Sequence, residues 1–196
     1  MIKRRCFQVA LVAAFSLLAT DGFVSYSTKA QAETRATERD MENTLYIDLE
    51  SGRVTIEMRP DLAPNHVARI KELARDGFYD GVVFHRVIDG FMAQTGDPTG
   101  TGTGGSDKPD LDAEFSDANH GRGAVSMARA QSPNSANSQF FIVFDDASFL
   151  DGQYTVWGQV TEGMELVDGI KRGEGSSGTV QNPDRMIKVQ VATDAQ

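Results

Sequence analysis

The sequence predicts a mostly β fold: an eight-stranded antiparallel sheet closed into a barrel and accompanied by two α-helices. Three observations predict it. Apolar and polar residues alternate in short runs from Leu45 to Val191, the period of half-buried strands. Only two segments carry apolar residues at helical spacing. Stretches rich in glycine, proline and aspartate separate the runs. Closing such a sheet removes the exposed strand edges that invite aggregation.

Leu45, Ile47 and Leu49 alternate with polar residues, as do Val54, Ile56 and Met58, and Glu50-Ser51-Gly52 joins them into a hairpin. Pro60 and Pro64 end that pattern. Pro64 suits a first helical position, where its missing N–H costs nothing. Val67, Ile70, Leu73 and Ala74 then recur at helical spacing, with Gly77 as the C′ residue. A second hairpin turns at Asp89-Gly90, a dipeptide that favours positive φ. Before the turn Val82, Phe84 and Arg86 share one strand face. After it Phe91, Ala93 and Thr95 share one face, and Met92, Gln94 and Gly96 the other. Residues 95–111 read as an irregular loop. Strands follow over 123–127, 139–144 and 155–160, and the polar loop over 128–137 is broken by Pro133. Residues 163–171 read as a short helix with Met164, Val167 and Ile170 aligned, and 173–178 as a mobile turn. Ile187, Val189 and Val191 alternate in a closing strand over 186–192. There is no internal repeat and no second domain.

The N-terminus accounts for the length beyond one ordinary domain. Lys3, Arg4 and Arg5 precede an apolar run over 6–19, too short to span a bilayer comfortably, and a polar spacer ends in Ala30-Gln31-Ala32. That is the order of a secretory signal peptide over residues 1–32, cleaved after Ala32, and it predicts an exported protein, in the periplasm. An uncleaved membrane anchor is the alternative, because the spacer is long. Residues 33–42 read as a flexible lead, and residues 43–196 as the domain. Cys6 is the only cysteine, so the processed chain has no disulfide framework and no thiol nucleophile. The net charge of −9 becomes more acidic once Lys3, Arg4, Arg5 and Lys29 are removed with Asp21, which argues against nucleic acid as a partner.

Several motifs fail on context. Gly100-Thr101-Gly102-Thr103-Gly104-Gly105 matches a dinucleotide fingerprint, but no helix follows it. Asp110, Asp112 and Glu114 begin like a calcium loop, but Phe115 and Gly121 stand where its glycine and glutamate belong. His66, His85 and His120 lack metal-ligand spacing, and His85 reads as a hydrogen-bonded structural histidine. No serine sits in a nucleophile elbow, and Ser126 reads as a strand residue. What remains is a hairpin carrying a permanent cation, large apolar side chains and an uncharged amide.

The order of those residues is informative. Residues 78–97, with Phe84-His85-Arg86 and Gly90-Phe91-Met92-Ala93-Gln94, resemble the signature of the cyclophilin-type peptidyl-prolyl isomerases. Ser126-Met127-Ala128-Arg129-Ala130, Asn137-Ser138-Gln139-Phe140-Phe141-Ile142 and Phe149-Leu150-Asp151-Gly152 resemble further stretches of that family, in its order and spacing. The likeness spans residues 43–192. It implies a barrel with a helix capping each end and an enzyme that accelerates rotation about X-Pro bonds. Together with the signal-peptide reading and the motifs set aside above, it predicts a monomer without cofactor or metal that acts during folding of exported proteins.

By resemblance Arg86 takes the catalytic position and Gln94 binds the substrate carbonyl. Phe91, Met92, Phe141 and Leu150 match the pocket for the proline ring. Ala128, Arg129 and Ala130 match the segment that pairs with an extended peptide, and Gln139, Phe149 and Tyr154 complete the substrate-binding set. The partners implied are proline-containing segments of unfolded or partly folded proteins. Where strongly cyclosporin-binding members carry tryptophan this chain has Phe149, so weak cyclosporin binding is expected. Tyr154 and Arg129 also replace a histidine and an asparagine of the family. Two other functions share these residues: a chaperone that holds proline-containing segments in the same groove, and a nucleotide-dependent enzyme using the glycine-rich loop.

Overall fold

The computed structural model describes residue 31, residues 37 and 38, and residues 40–195. The signal-peptide reading of residues 1–32 lies outside the described residues, Gln31 apart. In the stretch read as a flexible lead, residues 38 and 40–42 are helical. Glu42 there accepts hydrogen bonds from Arg75 (2.8 Å), Thr193 (3.0 Å) and Lys71 (3.2 Å).

Eight strands form one antiparallel sheet that curls into a half-barrel. They are β1 (Thr44–Leu49), β2 (Gly52–Met58), β3 (Arg86–Ile88), β4 (Met92–Thr95), β5 (Ala124–Met127), β6 (Phe140–Val143), β7 (Val156–Glu162) and β8 (Lys188–Val191). The ladder runs β3-β4-β6-β5-β7-β2-β1-β8, so it is open between β3 and β8 where the sequence predicts a closed barrel. The reason is local. β3 has only three residues and β8 begins at Lys188. The gap is spanned by irregular backbone, with Gly81 N–H and Phe84 N–H donating to Met186 O (2.7 Å) and Asp184 O (2.8 Å). These bonds occupy groups that a bare edge would leave open.

Helix α1 (Pro64–Arg75) forms where its apolar stripe predicts and packs against β8. Its C-terminus closes as Gly77 requires. Gly77, at φ +69°, donates to Ala74 O (3.0 Å) and Phe78 to Leu73 O (2.9 Å), a Schellman pair. Its N-terminus has no local side-chain cap. Glu114, from the long loop after β4, supplies one. It accepts from Asn65 N–H (3.1 Å) and His66 N–H (3.0 Å) and pairs with His66 Nδ1 at 2.6 Å. Burial disfavours the Glu114 charge, but the His66 ring and these amides outweigh it and hold the carboxyl below its ordinary value. A depressed folded-state value means the contribution is complete above the ordinary carboxylate range, near 4.5, and is lost as pH falls through the folded value. Glu114→Gln should therefore cost about 1.5–3 kcal/mol at neutral pH, the scale of hydrogen bonds to a charged group. Thermal melts across pH check this: the difference between the two proteins should shrink in acid, and a constant gap would refute the charge-based account.

The second helix, α2 (Met164–Asp168), is shorter than the 163–171 read from sequence and packs against β2. Gly169 and Ile170 already donate to carbonyls three residues back, which tightens and ends it. In the closing strand Val189 and Val191 are buried, whereas Ile187 is exposed and Met186 takes the inward place. The strand starts one residue after Ile187, so its alternation does not extend back to that residue.

The main core lies inside the curl. It joins Leu45, Ile47, Val54 and Ile56 to Val67 and Ile70 of α1 and to Phe84, Phe140, Trp157 and Val189. A run of edge-to-face rings crosses it, from Tyr79 to Phe140 (5.6 Å) to Trp157 (5.4 Å). The outer faces of β4, β5 and β6 build a second, smaller cluster from Met92, Ala124, Phe141, Val143, Ala147 and Leu150. Neighbouring residues thus part company: Phe140 enters the core and Phe141 the second cluster.

Candidate active site

The site begins at the β3–β4 hairpin, where Arg86 pairs across the ladder with Gln94. The shared face predicted for Val82, Phe84 and Arg86 is broken. The backbone before Arg86 is not strand, so Phe84 and Val82 enter the main core with Val87. Phe91 also departs from its predicted face. It precedes β4 and packs on the Met92 cluster, away from Ala93 and Thr95.

Arg86 is held at two points. Its Nε donates to Ser177 O (3.1 Å) and its Nη1 to Gln94 Oε1 (3.1 Å). A guanidinium carries five N–H groups, so three remain without an intrachain partner among the described residues. Gln94 Nε2 in turn donates to Gln139 Oε1 (2.9 Å), and Gln139 Nε2 to Gly104 O (2.8 Å) and Gly102 O (3.1 Å).

Beside this polar row lies the second apolar cluster. Met92, Phe141 and Leu150 are buried in it, and Phe91, Ala128 and Tyr154 pack around them. Phe149, 64% exposed, leans on Phe91 with ring centroids 5.4 Å apart. Tyr154 meets Phe141 edge-on at 6.0 Å and carries the Arg129 guanidinium 4.5 Å above its ring. Arg129 also donates to Gln153 O (3.0 Å) and Ala130 O (2.9 Å), tying its own segment to the one that precedes Tyr154. Ala128 N–H and Ala130 N–H are already taken by Gln139 O (2.9 Å) and Ser135 Oγ (3.0 Å). All twelve residues named from sequence fall in this one region.

Three features were missed. His120 stacks behind Phe141 (6.3 Å) and bonds Asp151 Oδ1 through Nδ1 (2.8 Å) and Ser126 Oγ through Nε2 (3.0 Å). Those are the partners of a hydrolytic triad. Yet Ser126 is 0% exposed and its hydroxyl lies 2.9 Å from the Thr155 carbonyl, so no acyl group reaches it. The trio braces the pocket from behind. His85 is buried, but it is not the hydrogen-bonded histidine expected from sequence: neither ring nitrogen has a hydrogen-bond partner, and burial pushes its pKa down. The glycine-rich loop holds the third feature. Its amides at Thr99, Thr101, Gly102 and Gly104 all point at the Asp97 carboxylate. A phosphate would need those same N–H groups, so the nucleotide reading fails on occupancy. Among the described residues no group of three or more His, Cys, Asp or Glu is placed to hold a metal ion.

The family model for the cyclophilin type peptidyl-prolyl cis-trans isomerases matches residues 44–191, the whole of the sheet. The chain belongs to that family. A Brucella suis protein named a probable peptidyl-prolyl cis-trans isomerase is 54% identical over 191 residues, covering 91% of this chain and 96% of that one. Peptidyl-prolyl cis-trans isomerase B of Bacillus subtilis is 44% identical over 133 residues, 67% of this chain and 92% of its own. Among solved structures, the cyclophilin AquaCyp293 of Hirschia baltica superposes with a TM-score of 0.72 at 30% identity, over 80% of this chain and 76% of that one. A Cryptosporidium parvum cyclophilin type isomerase, crystallised in the presence of the dipeptide Ala-Pro, gives 0.71 at 28% identity, over 76% of this chain and 98% of its own. This cyclophilin is a peptidyl-prolyl cis-trans isomerase.

Proposed function

We propose that this cyclophilin twists X-Pro bonds with Arg86 as the transition-state donor and the Phe91–Met92–Phe141–Leu150 cluster as the seat of the proline ring. The observation that carries the reading is the juxtaposition of a braced guanidinium, whose remaining N–H groups have no intrachain partner among the described residues, with an apolar cluster beside it. The barrier to rotation is amide resonance, about 18–20 kcal/mol. Rotation breaks that resonance and returns a lone pair to the nitrogen. A fixed donor aimed there binds the twisted state better than the planar one, which is the condition for catalysis. No σ bond changes, so neither nucleophile nor cofactor is called for. Gln94 holds the substrate carbonyl. Ala128, Arg129 and Ala130 line one side of the extended peptide, Gln139 supports Gln94, and Phe149 and Tyr154 form the rim.

The substrates are proline-containing segments of unfolded or partly folded chains. The Ala-Pro dipeptide present with the Cryptosporidium relative is of the same class. The protein acts as a monomer, and a chain starting at Glu33 should speed isomerisation of a short X-Pro peptide well beyond its uncatalysed rate, about 0.01–0.1 per second. Aggregation suppression without any such acceleration would instead favour a holding chaperone.

Two further expectations belong here. The basic, apolar, small-residue order of residues 1–32 supports export to the periplasm, with clients among exported proteins. N-terminal sequencing of the cell-envelope fraction should begin at Glu33, and a chain starting at Met1 found only in cytosol would refute this. Cyclosporin should bind weakly, because the Phe149 ring has no N–H to donate. Phe149→Trp should tighten inhibition and leave peptide turnover nearly unchanged. Tight inhibition of the unmodified protein would show that this position does not govern affinity.

A further inference from the structure

We propose that Asp97 is a positioning residue for isomerisation: its carboxylate shapes the glycine-rich loop, whose carbonyls set the direction of the Gln139–Gln94 amide row and so the aim of Arg86. The proposal rests on the assignment of Arg86 and Gln94 above and concerns what orients them.

The fully buried Asp97 has no lysine or arginine partner among the described residues. Oδ1 accepts from Thr99 N–H (2.7 Å) and Thr99 Oγ1 (2.8 Å). Oδ2 accepts from Gly102 N–H (2.6 Å), Gly104 N–H (3.1 Å) and Thr101 N–H (3.1 Å). The loop therefore winds around its own anion. Burial opposes the charge, but the Thr99 hydroxyl and these amides outweigh it and keep the group ionised well below the ordinary carboxylate range. Gly104 is obligatory in this winding, since a Cβ there would lie 2.2 Å from Asp97 Oδ1.

Winding the loop this way leaves the Gly102 and Gly104 carbonyls facing Gln139. Carbonyls only accept, so both hydrogens of Gln139 Nε2 are committed to them, at 3.1 and 2.8 Å. Gln139 must then present Oε1 to Gln94. At the other end Arg86 only donates, so Gln94 must present Oε1 to it. The row has one direction, fixed from both ends. Its consequence falls on Gln94, whose Nε2 spends one hydrogen on Gln139 and keeps the second. That free N–H is what a substrate carbonyl needs. The flipped amide would offer an oxygen there instead and would release Arg86 Nη1.

Asp97→Asn keeps the shape but turns an amide N–H toward loop donors, so the winding must change. In a protein that still folds, kcat/KM should fall about tenfold, the scale of one coupled interaction, with the loss in kcat. The decisive readout is a cycle with Gln139→Leu. A positioning role predicts that Asp97→Asn costs little once Gln139 is gone. A role confined to stability predicts the same proportional loss in both backgrounds, and that outcome would overturn the proposal, as would an unchanged rate in folded Asp97→Asn. If Asp97→Asn does not fold, Thr99→Val, which removes one hydroxyl donor and keeps the backbone, takes its place in the cycle with an expected loss of about threefold. Gln139→Glu adds a pH readout. Its carboxylate faces two carbonyls and repels them, whereas its protonated form donates to one. Activity should rise as pH falls toward the carboxyl range, and a flat profile would count against the directed row. Arg86→Ala, assayed alongside, separates the two levels. If it is inactive while the cycle is additive, only the role of Asp97 falls. If it retains full activity, the catalytic assignment itself falls.

Discussion

Arg86→Ala should lower kcat/KM by about 10²–10³, the range seen when one preorganised transition-state donor is lost. The fork takes no part in the main core: among the described residues its hydrogen bonds go to Ser177 O and Gln94 Oε1. The variant should accordingly melt close to the parent. Peptide affinity should fall far less than turnover, because in the proposed mechanism the interaction belongs to the twisted amide and not to the planar one. Arg86→Lys should recover little. An ammonium keeps the charge but cannot bond Ser177 and Gln94 with a planar fork while leaving a donor free. Near-normal kcat/KM in a well-folded Arg86→Ala protein would falsify the assignment.

Phe141→Ala has the next largest effect, and it acts on two properties together. Phe141 is buried between the His120 ring and Tyr154, beside Met92 and Leu150. A buried Phe→Ala change costs about 3–5 kcal/mol, a large share of a small domain's stability. Where the variant remains folded, it should also lose peptide affinity, because the pocket floor is gone. Melts and binding must be read on one preparation. Phe141→Leu keeps more of the volume and should restore most of the stability but not the binding. Unchanged peptide affinity in folded Phe141→Ala would remove this residue from the site.

The parts of this molecule with local periodicity were legible in its sequence. The hairpins, the α1 stripe with Pro64 and Gly77, and the alternation of Met92 and Gln94 against Ala93 and Thr95 all follow from spacing. The residues of the groove came from the resemblance, and they converge on one region. What escaped has long-range causes. Glu114 caps a helix that starts fifty residues earlier, and nothing near Pro64 signals a missing cap. Asp151 and Ser126 meet through His120 although no motif spaces them. The glycine-rich loop looked like an anion site and is one, but its anion is Asp97 of the same chain. Phe91 and Ile187 were assigned faces by extending strand alternation one residue past the strand. The open ladder was missed because closure depends on where β3 and β8 stop, which side-chain pattern does not encode.

Phe140 and Phe141 stand side by side on β6 and point to opposite sides of the sheet. A slip of one residue would exchange them, putting a groove residue in the core and a core residue in the groove. The alignment that completes the interior therefore also completes the recognition surface, in one cooperative event. No partly assembled intermediate with mispaired β6 can possess the native groove.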